Sequence, residues 1–371
     1  MKVAILLPTW VGDTCMATPT IRALRAGLPD LEELCVVGRY APVAVLEGAP
    51  WIDSTITYKP RSKDSKTPSR RGLINTLRSR GFDMIVLLPN SLSAGMIGYL
   101  SGAKRRIGYA KDGRTWLLTD AIPRRDVDID HSKKPTIDYY LHLASRLGCD
   151  TSDRAMQLFV SDADRLLAKN FYSQLGFDWH VPTVLFNTAS ATAQSRLWPV
   201  GHASRAAKLL ASNYGIQVIV HCGPQDRDRA NAIAFGASHE KVKSMGEIVD
   251  IPIGLSKGLM EQASVVVSTD SGPRHMAVAL NKNVVTLFGP TAPENTQTYN
   301  RPESILRLKM DCQPCGKGKC PLVHNNCMHG LTYPTVVKAV LERIGSAEPR
   351  ELSADTSFKY SAEVALPRSV A

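Results

Sequence analysis

A chain of 371 residues exceeds what one hydrophobic core usually holds, so two domains are expected. Apolar residues make up 44% and charged residues 21%, with a mean hydropathy of -0.12, the values of an ordinary soluble globular protein. No apolar run approaches the roughly 18 residues of a membrane span. The stretch from Met1 to Pro8 is too short for a signal-peptide core, which places the chain in the cytosol.

The formal net charge of +11 suits an anionic partner: nucleic acid, lipid headgroups or a phosphorylated substrate. The cations cluster at Lys59, Arg61, Lys63, Lys66, Arg70 and Arg71, and again at Lys104, Arg105 and Arg106. Each cluster also reads as a plain solvated loop. No RNP pattern, helix-turn-helix signature or basic heptad region accompanies them, so nucleic acid is not an expected partner.

In chain order, Val3–Pro8 reads as a buried strand, followed by the loop Thr9-Trp10-Val11-Gly12-Asp13 and a helix from Thr14 to Ala26. Strands follow at Leu34–Gly38, Ile56–Tyr58 and Asp83–Pro89, with a helix between the last two. This alternation implies a parallel sheet covered by helices, whose strand ends bind ligands. The pattern restarts with strands at Thr183–Asn187, Gln217–His221, Val265–Thr269 and Val284–Gly289, and helices at His202–Asn213, Arg227–Phe235 and Arg274–Leu280. The expected fold class is α/β: two doubly wound, Rossmann-like halves facing a cleft. The first spans residues 1–165 and the second 180–345, joined near Ser161–Pro182, with a loose tail at 346–371.

Ser268-Thr-Asp-Ser-Gly-Pro-Arg-His-Met reads as strand, polar turn and helix. Its turn offers the N–H groups of Ser271, Gly272, Arg274 and His275 at a helix N-terminus, where phosphate binds well. Gly272 admits a close approach, and Pro273 suits the first helical position. Asp-Ser-Gly-Pro is equally a good helix cap without any ligand.

Three ordered motifs then carry a resemblance: Leu7-Pro-Thr-Trp-Val-Gly-Asp13 running into Ala17–Leu24, Arg196-Leu-Trp-Pro199, and Thr269–His275 followed by Val284–Thr291. Together they resemble the ADP-heptose:lipopolysaccharide heptosyltransferases of glycosyltransferase family 9 over residues 1–345, nearest to the second-heptosyltransferase branch. The resemblance implies a GT-B fold, with the acceptor on the first lobe and the nucleotide-sugar on the second. It implies an inverting transfer of heptose from ADP-L-glycero-D-manno-heptose to a heptose or Kdo of nascent lipid A core. No cofactor is required in that chemistry. Asp13 matches the family's general base, with a helix N-cap as its plainer role. Arg196 matches the residue that contacts the pyrophosphate, where many relatives carry Lys. Thr188 would bond a phosphate, Asp226 the ribose, and Asp270 the sugar hydroxyls or the helix cap. Asp250–Lys257 would line the adenine, although it departs from the family pattern. Arg61, Lys63, Lys104 and Arg105 would meet the acceptor, and a basic first lobe would sit peripherally on the cytoplasmic face of the inner membrane.

Cys312, Cys315, Cys320 and Cys327, with His324 and His329 nearby, have the composition of a structural zinc site but not a standard ribbon spacing. Free, partly buried thiols are the alternative. Two other functions remain open to the residues alone: a related transferase with another nucleotide-sugar, or a zinc-stabilised nucleic-acid-binding protein.

Overall fold

The computed structural model describes residues 1–61, 67–123, 135–188, 193–248, 250–300 and 303–345. The first half runs β1 (Lys2–Leu6), α1 (Val11–Gly27), β2 (Glu33–Gly38), α2 (Tyr40–Val45), β3 (Ser54–Thr57), α3 (Arg70–Arg80), β4 (Met84–Leu87), α4 (Leu92–Leu100), β5 (Arg105–Tyr109), β6 (Asp120–Ile122) and α5 (Thr136–Ser145). The second half runs α6 (Asp162–Leu175), β7 (Thr183–Asn187), α7 (Val200–Tyr214), β8 (Gln217–Val220), α8 (Arg227–Ala237), β9 (Val242–Ser244), α9 (Ile253–Gln262), β10 (Val265–Thr269), α10 (Gly272–Ala279), β11 (Val284–Phe288), β12 (Ser304–Arg307), α11 (Asn326–His329) and α12 (Tyr333–Ile344).

Each half builds a six-stranded sheet in which the described pairings are all parallel. The orders are β3-β2-β1-β4-β5-β6 and β12-β11-β10-β7-β8-β9. Counted from the first strand of its own half, the second order is the first one repeated, so the two lobes share one doubly wound topology. The sequence shows no repeat because only the pattern recurs. The central strands β4, β8 and β10 are buried along their whole length, as parallel strands covered on both faces must be. In such a sheet the strand order reverses between β1 and β4, and between β7 and β10; ligands bind beyond the carboxyl ends at these points.

Helix α1 carries Pro19 in its interior. Proline cannot donate to the carbonyl of Cys15, four residues back. The hydroxyl of Thr18 donates there instead at 2.7 Å, and Thr18 Oγ1 in turn accepts the N–H of Gln157 at 3.1 Å. The helix therefore continues past its proline and is tied to the crossover segment.

The expected junction at Ser161–Pro182 is not a plain linker. It contains α6, opened by a reciprocal capping box between Ser161 and Asp164 and packed on α9. Lys257 of α9 is fully buried there: its ammonium lies 2.8 Å from the Asp164 carboxylate and donates to the carbonyls of Glu47 and Phe159, each at 3.0 Å. One cation thus joins the first lobe, the crossover and the second lobe. The tail at 346–371 lies outside the described residues. Among the described residues no helix is long and apolar enough to cross a membrane.

Replacing Lys257 by Ala would strand a buried carboxylate and two carbonyl oxygens. Loss of one partner of a buried pair costs about 3–5 kcal/mol. We expect Lys257→Ala to lower the urea unfolding midpoint by a corresponding amount; an unchanged midpoint would refute the clamp.

Candidate functional site

The two sheets aim their carboxyl ends at one another, and the first turns of α1 and α10 meet between them. A Cβ placed on Gly12 would lie 3.1 Å from Cδ2 of His275 and 3.2 Å from Cα of Gly272. Gly12 thus owes its missing side chain to this contact, whereas a Cβ on Gly272 would meet only ordinary contacts, 3.5 Å from the Gly12 nitrogen and 3.8 Å from Val11 Cβ.

Asp13 is neither at a loop tip nor a helix cap. Helix α1 begins two residues earlier, with Trp10 as its N-cap, and Asp13 occupies the first turn. The helix dipole favours a carboxylate there. Burial works against it more strongly and raises the carboxyl from 3.8 to about 6. No hydrogen bond to its carboxylate is recorded among the described residues, so its lone pairs are available. Tyr140 of α5 stands close by, its hydroxyl pushed well up by burial and then by the Asp13 charge.

On the other lobe, Ser271 caps α10 without a side-chain cap bond. Its hydroxyl donates to the Thr269 carbonyl at 3.2 Å and accepts from Asn187 Nδ2 at 3.1 Å. The N–H of Arg274 is spent on the Ser271 carbonyl at 3.1 Å, so it is not one of the free donors the sequence suggested. The Arg274 side chain is also fully committed. It forks onto Glu303 at 2.9 and 3.0 Å, reaches Asp270 at 3.2 Å and lies over the ring of Phe288 at 4.9 Å. Asp270 accepts further from Thr296 Oγ1 at 3.1 Å. It is therefore a counter-ion before anything else, and Ser271, not Asp270, is the cap. Burial alone would raise the Asp270 carboxyl, but Arg274, His275 and Arg196 outweigh it and hold the group below its ordinary value.

Arg196 ends a short 3-10 turn, Gln194–Arg196, and donates to the Asp270 carbonyl at 2.8 Å. Its side chain is 29% exposed, unlike the sealed Arg274 at 1%. Thr188 directly follows β7 and is buried, and Asp226 precedes α8, half-buried, with burial raising its carboxyl against the pull of Arg229. His275 is buried in the first turn of α10, and burial lowers its imidazole to about 4. No described residue reaches its Nδ1. Arg196, Asp270, Ser271, Gly272 and His275 are thus brought together, and Gly272 and His275 meet Gly12, the residue before Asp13; Thr188 and Asp226 stand at neighbouring strand ends.

A network that sequence reasoning missed lies behind them. His221, just after β8, contacts Asn187 Oδ1 at 3.2 Å and Ser256 Oγ at 2.9 Å, while Asn187 reaches Ser268 and Ser271. Burial lowers His221 to about 4, so the ring is neutral. A polar run closing two apolar strands was the only sequence signal. In the expected adenine-lining stretch, Lys257 is corrected outright: it is sealed in the interlobe clamp and lines nothing.

The acceptor assignments divide. Arg61 is exposed on the turn beyond β3, at the cleft end of the first sheet. Lys63 lies outside the described residues. Lys104 and Arg105 enter β5 at its amino end, which a parallel sheet turns away from the cleft; they pair with Asp83 at 3.6 Å and Asp120 at 2.7 Å. They do not reach the site. At the cleft end the exposed side chains are instead Trp10, Arg39 and Tyr40, which open α1 and α2.

Cys312, Cys315, Cys320 and Cys327 line one small cavity with His324, Ser195 and Pro290. All eight cysteines are free, and among the described residues no three His, Cys, Asp or Glu side chains are grouped to hold a metal ion. Burial pushes Cys327 up to about 11, with the other three thiols adding. The loop does buttress the donor side: Ser195 donates to the carbonyls of Gly318 at 3.1 Å and Lys317 at 2.5 Å, one residue before Arg196.

The family profile for glycosyltransferase family 9 (heptosyltransferase) matches residues 70–325. Lipopolysaccharide heptosyltransferase 2 of Escherichia coli (strain K12) is 25% identical over 350 residues, covering 91% of this chain and 97% of the relative. The solved structure of E. coli ADP-heptose lps heptosyltransferase II superposes with a TM-score of 0.75 at 22% identity, covering 93% of this chain and 98% of that one. A family 9 glycosyl transferase from Veillonella parvula DSM 2008 gives a TM-score of 0.78 at 20% identity, covering 92% and 97%. The fold they share with this chain is GT-B.

The raised carboxyl of Asp13 has a stability consequence. Between its ordinary value of 3.8 and about 6 the folded chain holds this proton more tightly than the unfolded one. Stability therefore falls as pH rises through that window and stays lower above it. We expect Asp13→Asn to exceed the parent by up to about 3 kcal/mol above pH 6, and to match it near pH 4. Thermal unfolding across pH 4–8 measures the difference; equal stability at pH 7 would sink the claim.

Proposed function

The chain belongs to glycosyltransferase family 9, the heptosyltransferases, and we propose that it moves a heptose from ADP-heptose to the inner core of nascent lipopolysaccharide with Asp13 as general base. The observation that carries the proposal is the meeting of two first helical turns. One bears a carboxylate with free lone pairs, and the other bears the amide end of a helix beside Arg196.

In the proposed step, the acceptor hydroxyl oxygen attacks the anomeric carbon from the face opposite ADP. Its proton passes to Asp13, and the bond to the diphosphate oxygen breaks with its electron pair. One displacement inverts the anomeric centre. A base near 6 is ionised at neutral pH and still strong enough to take a proton in the transition state. Charge develops on the leaving diphosphate, where the amide end of α10 and the exposed guanidinium of Arg196 stand ready without reorganisation. Arg274 takes no direct part; it fixes Asp270, which in turn fixes Arg196.

The acceptor, a heptose or Kdo of the lipid-linked core, would enter from the first lobe past Arg61, Trp10 and Tyr40. Exposed aromatic rings suit sugar faces, and exposed cations suit core phosphates. A lipid-linked acceptor also implies peripheral work on the cytoplasmic face of the inner membrane.

The test is to incubate the protein with ADP-heptose and a series of truncated cores and weigh the products. A gain of one heptose is expected with one acceptor of the series, and no gain with any would overturn the proposal. In the working assay, Asp13→Asn should lower kcat by about 10²–10⁴-fold while donor affinity stays within a few-fold. The parent's kcat/KM should fall as pH drops below about 6, where Asp13 becomes protonated. Arg196→Ala should raise the donor KM and lower kcat together.

A further inference from the structure

Helix α4 has an unusual outer face. Its nine residues, Leu-Ser-Ala-Gly-Met-Ile-Gly-Tyr-Leu, include no charged side chain. Ala94, Gly95, Ile97 and Gly98 are buried, and a Cβ on Gly98 would already crowd Leu87 at 3.0 Å. A helix packed this closely on one side normally turns polar residues to water. Here the outward positions Leu92, Met96 and Tyr99, spaced i, i+4, i+7, are apolar, with Leu92 48% and Tyr99 49% exposed. Trp116 of the 3-10 turn Thr115–Leu117 extends the stripe: it is 68% exposed and its ring lies 6.2 Å from that of Tyr99.

Cations border the stripe. The Arg106 guanidinium stands 5.6 Å from the Tyr99 ring centre, the exposed Arg78 donates to the Leu100 carbonyl at the end of the helix at 2.6 Å, and Lys104 follows with its side chain 84% exposed. Asp83 answers Lys104 alone through an exposed pair at 3.6 Å, which holds weakly. The patch therefore combines Trp and Tyr rings with an excess of basic groups, the composition of side chains that anchor at a lipid–water boundary.

We propose that the outer face of α4 and the turn at Trp116 dock the first lobe on an anionic lipid bilayer. The proposal rests on the lipid-linked acceptor argued above and says which face meets the lipid. Charge selects this occupant over a second copy of the chain. A two-fold contact would set the same cations against one another, whereas anionic headgroups draw them in. Position agrees as well: α4 opens at the cleft end of β4, so a bilayer along its face lies beside the acceptor entrance. Lys104, which cannot reach the cleft, belongs to this rim; Arg105, in register with Met84, leaves β5 on the opposite face of the sheet.

The test uses the full chain with sedimenting vesicles of phosphatidylcholine, alone or with phosphatidylglycerol. Binding is expected to the mixed vesicles and to weaken with salt. The double variant Tyr99→Ser/Trp116→Ser should lose more than tenfold in vesicle affinity, as should Arg78→Ser/Lys104→Ser. Phe235→Ser, which removes an 88% exposed ring on the other lobe, should bind as the parent does. Circular dichroism melts establish that each variant folds. Turnover with a water-soluble core oligosaccharide should be unchanged in all three, and that assay tests the transferase reading separately. Parent-like vesicle binding by Tyr99→Ser/Trp116→Ser, or an equal loss in Phe235→Ser, would overturn the proposal. So would a parent dimer in sedimentation velocity that the double variant dissolves.

Discussion

Everything in the cleft follows from the contact between Gly12 and Gly272. Two parallel sheets with the same strand order can present their carboxyl ends to each other only by bringing helix N-termini together. Each N-terminus carries partial positive charge, so their meeting repels unless negative charge is supplied. Asp13 supplies some from one side and Asp270 from the other. The absence of a side chain at Gly12 lets the two helix ends approach this closely.

The cations around that contact divide into fixed and free. Arg274 is sealed by Glu303, Asp270 and Phe288, and the pairing keeps both carboxyls below their ordinary values although burial alone would raise them. It contributes order, not reach. Among the described residues Arg196 has one short bond, to the Asp270 carbonyl, and its side chain stays 29% exposed. A sealed charge holding a partly exposed one in place is how a site can be preorganised and still admit a ligand. The Lys257 clamp does the same at larger scale, pinning the crossover where the two lobes share one hydrophobic core.

Sequence made the skeleton legible where burial is continuous. β7 and β10 fall where the sequence puts them to the residue, because a strand covered on both faces carries an unbroken apolar run, here Val184–Phe186 and Val265–Val267, bounded by polar residues. β5 escaped because it opens with Arg105 and Arg106, whose charged heads lie at the sheet's rim while the strand proceeds inward. The same mistake of scale misplaced Lys104 and Arg105 in the acceptor site: adjacency to a strand says nothing about which end of it. Asp13 was found through a motif, but its place inside α1 depends on where the chain turns after Pro8, which no local propensity states. Lys257 shows the reverse failure. A lysine near a ligand-binding stretch reads as a surface charge, and only the tertiary meeting of Asp164, Glu47 and Phe159 reveals it as buried.

The two sides of the cleft also differ in kind, and the chemistry explains why. The donor side is made of backbone amides, a neutral buried histidine network and ion pairs that leave little freedom. Charge develops there in the transition state, and donors that must reorganise as it appears give back the stabilisation they provide. The proposed acceptor side is made of exposed ends of long or flat side chains: Arg61, Trp10 and Tyr40. An acceptor oxygen needs only to be delivered to a base that is already in position, so looser contacts suffice to bring it there. A fold that fixes the leaving group through its main chain can therefore change acceptors through surface side chains alone, with the proposed base, Asp13, held in the same turn of α1.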